Sequence, residues 1–210
     1  MANFFSKLKV RLYQNLKTDK VFFSSFEKNY DLNSCTVLNK HTKAAVLCLL
    51  EVHEKNLNII LTLRSRNLKD HPGQISLPGG KVSDMESFSE CALRETYEEI
   101  GLKSTNISIL GELNYYLSGS NFLIKPIVGI INGAYKISLN KYEVEKVISF
   151  PIKYLFNKKN LTKSFYTDKR NNKKMYYYDI NWNDERIWGT TAIILVHLSK
   201  LINSGTFKNV

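Results

Sequence analysis

Apolar residues form short runs or alternate with polar ones in six stretches of the chain, as is typical of β-strands. Ala44–Leu50 is an apolar run that predicts a buried strand, and Leu57–Leu63 predicts its hairpin partner across a turn at His53–Asn56. Tyr115–Asn121 is predicted to connect two of the remaining strands. The four remaining strands are Ile107–Leu113, Phe122–Ile131, Val147–Phe150 and Tyr176–Ile180.

Helical patterns lie at both ends and in the middle of the chain. Residues up to about 40 indicate a basic amphipathic helix followed by a polar connection through Asp31–Ser34. Pro151 is predicted to open a helix through Phe156, since proline is tolerated in a first helical turn, and Thr190–Leu201 predicts a C-terminal helix. The Lys- and Asn-rich segment Asn157–Lys174 predicts a solvated loop or a hairpin.

The segment Gly80–Leu102 contains the most informative helical pattern. Its end carries Glu95, Glu98 and Glu99, which share one helix face within an arc of about 100°, and Gly101 stops the helix. The core side is predicted to carry Leu93, Tyr97 and Ile100. Because three like charges repel each other, we expect a divalent cation facing a phosphate to offset that cost.

Strands before and after a central helix predict a mixed α/β class, with a sheet flanked by helices. We expect an N-terminal helical arm over residues 1–40, one main domain over residues 41–203 and a short tail over residues 204–210. At 210 residues with 43% hydrophobic content, the chain is large enough to bury a normal core.

Charge and cysteine content exclude some classes of protein. The net charge of +11 comes from scattered lysines without a nucleic-acid motif, so we expect no nucleic-acid partner. No apolar run approaches the roughly 18 residues of a membrane span, and no membrane partner is expected. Cys35, Cys48 and Cys91 have no metal-type spacing, and their odd number argues against a disulfide framework. These features favour a cytoplasmic protein; an organelle transit segment is a less favoured alternative.

The central segment resembles a known motif over its whole length. Its fixed positions match the Nudix box, Gly-x5-Glu-x7-Arg-Glu-apolar-x-Glu-Glu-x-Gly-apolar, except that Thr96 stands where an aliphatic residue is expected. The matching residues are Gly80, Glu86, Arg94, Glu95, Glu98, Glu99, Gly101 and Leu102. The resemblance implies a Nudix-type α/β/α sandwich with a mixed central sheet and a catalytic loop-helix.

The resemblance also implies a reaction and a set of site residues. Nudix hydrolases cleave a nucleoside diphosphate linked to another group with Mg²⁺ or Mn²⁺, and carboxylate oxygens suit such hard cations. Glu95 and Glu99 would be the principal metal ligands, and Glu98 a further ligand or the general base. Glu86 and Arg94 would orient and neutralise the cluster, and Glu86 is also a candidate ligand. A base from a distant loop is the alternative, for which Glu143 and Glu145 are candidates, although ordinary surface acids are the favoured interpretation of both.

The loop before the box narrows the expected substrate. Arg64–Pro78 is similar to the extra signature of the coenzyme A diphosphatase branch, with Ile60 and Leu77 as conservative departures. We expect Arg64, His71 and Gln74, with Gly79 and Gly80, to bind substrate. Arg66 is a weaker candidate. Tyr115 or Tyr116 is a candidate for stacking on adenine, although a core position is the favoured interpretation of both, and Trp188 is interpreted as a packing residue.

The preferred hypothesis is therefore hydrolysis of coenzyme A, or of an acyl-CoA, to 3′,5′-ADP and 4′-phosphopantetheine or its acyl form. Another Nudix specificity is the first alternative, with ADP-ribose, a dinucleotide or a nucleoside triphosphate as substrate. A non-catalytic nucleotide-binding module is the alternative of a different class, although such modules usually lose box carboxylates that this chain keeps. The expected partner is a small-molecule substrate, and a homodimer is compatible with the sequence.

Overall fold

A computed structural model describes residues 2–16, 20–23, 29–31, 41–168 and 172–204 of the chain. Its helices are α1 (Ala2–Leu16), α2 (Phe88–Ile100) and α3 (Gly189–Asn203). The strands of the larger sheet are β1 (Lys20–Phe23), β2 (Asn29–Asp31), β3 (Thr42–His53), β4 (Asn56–Arg64), β5 (Ile75–Ser76), β6 (Gly79–Lys81), β7 (Ile107–Glu112), β8 (Tyr115–Leu117), β9 (Phe122–Ile131) and β10 (Val144–Pro151). A smaller sheet contains β11 (Thr162–Asp168), β12 (Lys173–Trp182) and β13 (Glu185–Trp188).

Strand β3 organises the larger sheet. It runs parallel to β9 along most of its length and antiparallel to β4 at its C-terminal end. Glu54 and Lys55 join β3 to β4 with φ of 47° and 64°, the positive values that a two-residue hairpin turn requires. At its N-terminal end β3 pairs instead with the short strand β6, so β4 diverges there and pairs with β5. The sheet therefore opens at the point where the Nudix-type segment leaves it.

Two apolar layers cover the larger sheet. On one face, α2 packs against β3, β6 and β9 over a core that includes Leu47, Ile60 and Ile127. On the other face, α1, α3 and the smaller sheet enclose a larger core that includes Leu50, Ile59 and the ring of Phe150. The α/β/α sandwich with a mixed sheet is confirmed. None of the helices in the described part of the chain combines the length and the apolar character that crossing a bilayer requires.

Several predicted elements agree with the structure. The β3–β4 hairpin and β9 are confirmed, the C-terminal helix extends slightly beyond its predicted ends, and Asn157–Lys174 contains the first strand of a hairpin, β11–β12. The connection predicted over Tyr115–Asn121 instead begins with the strand β8.

Three other expectations were wrong. Pro151 ends strand β10, and only a 3₁₀ helix over Ile152–Phe156 follows it. Tyr97 is 53% exposed, while Cys91 and Thr96 lie on the core side of α2. The arm predicted as helix and polar connection also contains β1 and β2, and β1 joins the main sheet parallel to β8. The predicted polar connection after Asp31 lies outside the described residues.

The N-terminal helix is held against the domain by side-chain contacts. Leu8 and Leu12 are fully buried in the larger core. Arg11 Nη1 donates to the carbonyl of Leu201 at 3.0 Å, where the last turn of α3 leaves its carbonyls without helical partners. The helix α1 therefore packs on the domain directly. The boundary between an N-terminal arm (residues 1–40) and a main domain (residues 41–203) stays a prediction.

Candidate active site

Both ends of α2 are fixed by local chemistry. The Ser87 hydroxyl accepts from Glu90 N at 3.2 Å, and the Glu90 carboxylate accepts from Ser87 N at 2.9 Å, which is a capping box. At the other end, Gly101 adopts the left-handed conformation with φ of 70° and donates its amide to Tyr97 O at 2.8 Å. The Thr96 hydroxyl donates to Ala92 O at 2.7 Å, so this polar residue is satisfied within the buried face of the helix.

Arg94 neutralises three of the predicted site carboxylates. Its Nε and Nη2 atoms lie 2.8 and 3.1 Å from the two carboxylate oxygens of Glu86, a bidentate pair. Its Nη1 atom donates to Glu95 Oε1 at 2.8 Å and to Glu98 Oε2 at 3.0 Å. The hydrogen bond from Arg94 lowers the pKa of Glu86 to about 2, and the Glu86 carboxylate in turn raises the pKa of Arg94. These contacts support the predicted role of Arg94 in orienting the carboxylates.

Glu99 is the most deeply buried acid of the helix, at 2% exposed. Burial raises its pKa to about 8, against the opposing effect of the positive charge of Arg64. The Gly79 amide donates a hydrogen bond to this carboxyl group, but Glu99 Oε2 is buried without any hydrogen-bond partner. Burial also raises the pKa of Glu95, although the hydrogen bond from Arg94 acts in the opposite direction. Two adjacent carboxyl groups are therefore held in a poorly solvated position.

The glycines that precede the helix allow the backbone to approach these acids closely. A Cβ atom added to Gly80 would lie 2.4 Å from Glu95 Cδ, so any larger residue there would force the Glu95 carboxylate to move. Gly79 has φ of 154°, and an added Cβ would meet the carbonyl oxygen of Ala45 at 2.2 Å. The structure thus brings both predicted glycines to the acids, Gly79 to Glu99 and Gly80 to Glu95.

Glu143 joins the acids from a different part of the chain. Its negative charge raises the pKa of both Glu95 and Glu99. Asn140 links the two segments, because its backbone amide donates to Glu99 O at 3.0 Å and its side-chain amide donates to Glu143 Oε1 at 3.3 Å. Hereafter the carboxylate cluster means Glu95, Glu98, Glu99 and Glu143.

Glu145, the second acid proposed from that segment, is exposed and lies 3.8 Å from Arg66. The structure therefore separates the two candidates that the sequence left equal. Glu143 and Glu145 are two residues apart in the sequence, and this spacing does not predict which of them lies beside the acids of α2.

The chemistry of the carboxylate cluster fits a hard divalent cation. Carboxylate oxygens are the preferred ligands of Mg²⁺ and Mn²⁺, and the unpartnered Glu99 Oε2 is a buried acceptor available for such an ion. Across the described ranges, no three or more His, Cys, Asp or Glu side chains are gathered in an arrangement that could hold an ion. Arg94 binds one carboxylate oxygen each of Glu95 and Glu98 in this conformation, and the other oxygen of each faces away from that hydrogen bond.

Comparison with known proteins identifies the family. The NUDIX domain family matches residues 40–131. An uncharacterized Nudix hydrolase NudL from Yersinia enterocolitica is 29% identical over 192 residues, which cover 90% of this chain and 96% of that protein. Nudix hydrolase 3 from Caenorhabditis elegans is 31% identical over 169 residues, which cover 72% of this chain and 70% of that protein. The chain belongs to the Nudix hydrolase family. A crystal structure of a C. elegans Ap4A hydrolase binary complex has a TM-score of 0.46 and 20% identity, over 53% of this chain and 81% of that one.

As a Nudix hydrolase, the protein is an enzyme that acts on pyrophosphate bonds. Its Arg64–Pro78 loop lies beside the carboxylate cluster. Arg64 pairs through its backbone with Gln74 (N to O, 2.9 Å), and Gly73 N donates back to Arg64 O at 3.2 Å. The Arg64 charge acts on Glu99, while Arg64 Nε is buried without a hydrogen-bond partner. These two backbone hydrogen bonds join the beginning of the loop to Gly73 and Gln74. The charge of its first residue, Arg64, acts on the carboxylate cluster.

The other residues of this loop differ in their exposure to solvent. His71 is exposed, and its Nδ1 lies 3.1 Å from Gln74 Oε1. Ser65, buried at the start of the loop, donates its amide to Glu143 O at 2.8 Å. This hydrogen bond attaches the loop to the segment that supplies Glu143.

The structure favours a packing role for both candidate stacking residues, Tyr115 and Tyr116. Tyr116 is 1% exposed, and its hydroxyl lies 2.7 Å from His197 Nδ1, so its ring cannot receive a base. The ring of Tyr115 is covered by the ammonium of Lys125 at 4.3 Å and by the edge of Phe88 at 5.6 Å. Trp188 packs against Tyr177 with ring centroids 5.5 Å apart, as expected of a packing residue.

Proposed function

We propose that this Nudix hydrolase cleaves the diphosphate of coenzyme A or of an acyl-CoA. Water adds to one phosphorus while the bond from that phosphorus to the bridging oxygen breaks, and the products are 3′,5′-ADP and 4′-phosphopantetheine or its acyl form. The observation that supports this most is the Arg64–Pro78 loop, which is similar to the coenzyme A diphosphatase signature and is fastened beside the carboxylate cluster. The family alone supports only hydrolysis of a diphosphate in a nucleotide-like small molecule.

Mg²⁺ or Mn²⁺ is the proposed cofactor, with Glu95 and Glu99 as its principal ligands and Glu98 as a further one. When bound, such an ion neutralises charge on the diphosphate and lowers the pKa of a bound water. Glu86 is better suited to holding Arg94 in place, since Arg94 engages both of its carboxylate oxygens. Arg64 is the proposed ligand of a phosphate oxygen beside Glu99, and the effect of its positive charge on the Glu99 carboxyl group supports this.

Two residues are candidates for the general base. Glu98 is on the helix and is already engaged by Arg94, whereas Glu143 approaches the cluster from the opposite segment and has Asn140 as its hydrogen-bond donor. A base must reach the attacking water without being neutralised by an adjacent guanidinium. That condition favours Glu143, and a Glu143→Gln variant should lower kcat far more than Glu145→Gln, its exposed neighbour.

The test is a panel of substrates incubated with the protein and Mg²⁺ or Mn²⁺. The panel contains coenzyme A, acetyl-CoA, ADP-ribose, a dinucleotide and a nucleoside triphosphate, and the products are separated by chromatography. We expect 3′,5′-ADP from the first two at a higher kcat/KM than any product from the others. Fast turnover of another substrate, without 3′,5′-ADP release from coenzyme A or acetyl-CoA, would refute the coenzyme A assignment and leave the Nudix assignment intact.

A further inference from the structure

The segment between β9 and β10 crosses the C-terminal end of α2. Ser138 N donates to Ile100 O at 2.9 Å, and Asn140 N donates to Glu99 O at 3.0 Å. These are two of the carbonyls that the end of a helix leaves without partners inside the helix. Ile137 packs against the core that α2 covers, so a side chain holds the segment as well as the backbone. The segment is therefore fixed to the helix that carries the acids.

Asn140 uses all four of its nitrogen and oxygen atoms in this segment. Besides the bond from its backbone amide to α2, its carbonyl accepts from Glu143 N at 3.0 Å and from Val144 N at 2.8 Å. Its side-chain Oδ1 accepts from Tyr142 N at 3.2 Å, and its Nδ2 donates to Glu143 Oε1 at 3.3 Å. One residue thus bonds to the backbone of the catalytic helix and to both the backbone and the carboxylate of Glu143.

The backbone of Glu143 is also held from the substrate loop, because its carbonyl accepts from the buried Ser65 N at 2.8 Å. A fixed backbone does not fix a glutamate carboxylate, which has several rotatable bonds. The hydrogen bond from Asn140 Nδ2 restricts the carboxylate itself. An amide is a neutral donor, so it orients Glu143 without neutralising it, in contrast to the guanidinium that binds Glu98.

We propose that Asn140 is a positioning residue, whose side-chain amide orients the Glu143 carboxylate and whose backbone sets its place relative to Glu99. The inference rests on the proposed function, in which Glu143 is the favoured general base. As the water oxygen bonds to phosphorus and the bond to the bridging oxygen breaks, the proton of the water passes to the Glu143 carboxylate. Asn140 acts through Glu143 and takes no proton itself.

The kinetic test begins with Asn140→Asp, which keeps the oxygen that accepts from Tyr142 N but replaces the amide donor with a second negative charge. We expect kcat to fall about 10-fold or more with KM near wild type, because a displaced base impairs the chemical step alone. Asn140→Ser keeps a hydroxyl acceptor for the turn and should show the same loss. Asn157→Asp is the matched control, since Asn157 Oδ1 also accepts an amide two residues on, from Lys159 N at 3.1 Å, and it should keep wild-type kcat.

A double variant tests whether Asn140 acts through Glu143. In the Glu143→Gln protein, adding Asn140→Asp should lower kcat by less than about 2-fold more, because residues that act as a unit are not additive. A further 10-fold loss on the order of the single variant, or wild-type kcat in both folded Asn140 variants, would overturn the positioning role. Wild-type kcat in Glu143→Gln would overturn the base and the positioning role together.

The contact itself is tested without turnover, by NMR of the metal-free protein. The side-chain amide signals of Asn140 are identified by their loss in Asn140→Asp. Glu143→Gln should shift these protons upfield, because a neutral acceptor forms a weaker hydrogen bond than a carboxylate, whereas Glu145→Gln should leave them unchanged. An unshifted signal in Glu143→Gln contradicts the inference whatever the substrate is. Failure of the coenzyme A assignment is recognised separately, by the substrate panel, since the kinetic tests use whichever substrate wild type turns over best.

Discussion

Replacing Glu99 with glutamine should stabilise the metal-free protein while it destroys activity. Glu99 is 2% exposed, and burial raises its pKa from 4.5 to about 8. Because the folded-state pKa is raised, its contribution to stability is fully present below pH 4.5 and is lost as the pH rises toward 8. At about 1.4 kcal/mol for each pH unit above 4.5, this loss reaches about 3 kcal/mol at pH 7.

Glutamine has nearly the same shape and no charge to bury. In EDTA at pH 7, Glu99→Gln should therefore exceed wild type in unfolding free energy by up to about 3 kcal/mol, or roughly 5–10 °C in Tm for a chain of this size. The advantage should shrink toward zero as the pH falls to 4.5. Added Mg²⁺ should stabilise wild type more than the variant, because an ion that binds only the folded state raises its stability.

The assay is thermal unfolding followed by circular dichroism between pH 4.5 and 8, with and without Mg²⁺, together with hydrolysis of coenzyme A. Glu98→Gln is the matched control, because the Glu98 side chain is on the same helix and is 49% exposed. Stability of Glu99→Gln equal to that of wild type at pH 7, or a difference that does not change with pH, would refute the argument from burial. Retained hydrolysis would refute the metal-binding role of Glu99.

Three further predictions follow from single contacts. Gly80→Ala should reduce kcat at least 10-fold, because its Cβ would displace the Glu95 carboxylate; Gly119→Ala, whose Cβ would meet only a tyrosine hydroxyl at 3.3 Å, should retain activity in the same assay. Arg94→Lys should also lower kcat about 10-fold or more with circular dichroism unchanged, since lysine cannot make the bidentate pair; wild-type kcat would contradict this. Arg11→Ala should lower unfolding free energy by about 1 kcal/mol in urea without altering kcat; an unchanged midpoint would show that this cap contributes nothing.

Local sequence patterns predicted the acidic face and the C-terminal end of helix α2. Gly101 and the spacing of Glu95, Glu98 and Glu99 act within a few residues, so they were visible without a tertiary structure. The β3–β4 hairpin was also predicted from the sequence, because its two strands are joined by a short local turn. The exposure of Tyr97 was not, because the helical period alone does not fix how the sheet lies against the helix.

By itself, the sequence determined the family, the type of reaction and the helix that carries the acids. Only the tertiary structure decided which distant residues meet that helix. Glu143 reaches the cluster and Glu145 does not, and Tyr116 is buried while Tyr142 is exposed. The physical reason is that these outcomes depend on hydrogen bonds between segments far apart in the chain, such as Ser65 to Glu143, and on which face of a strand the core covers.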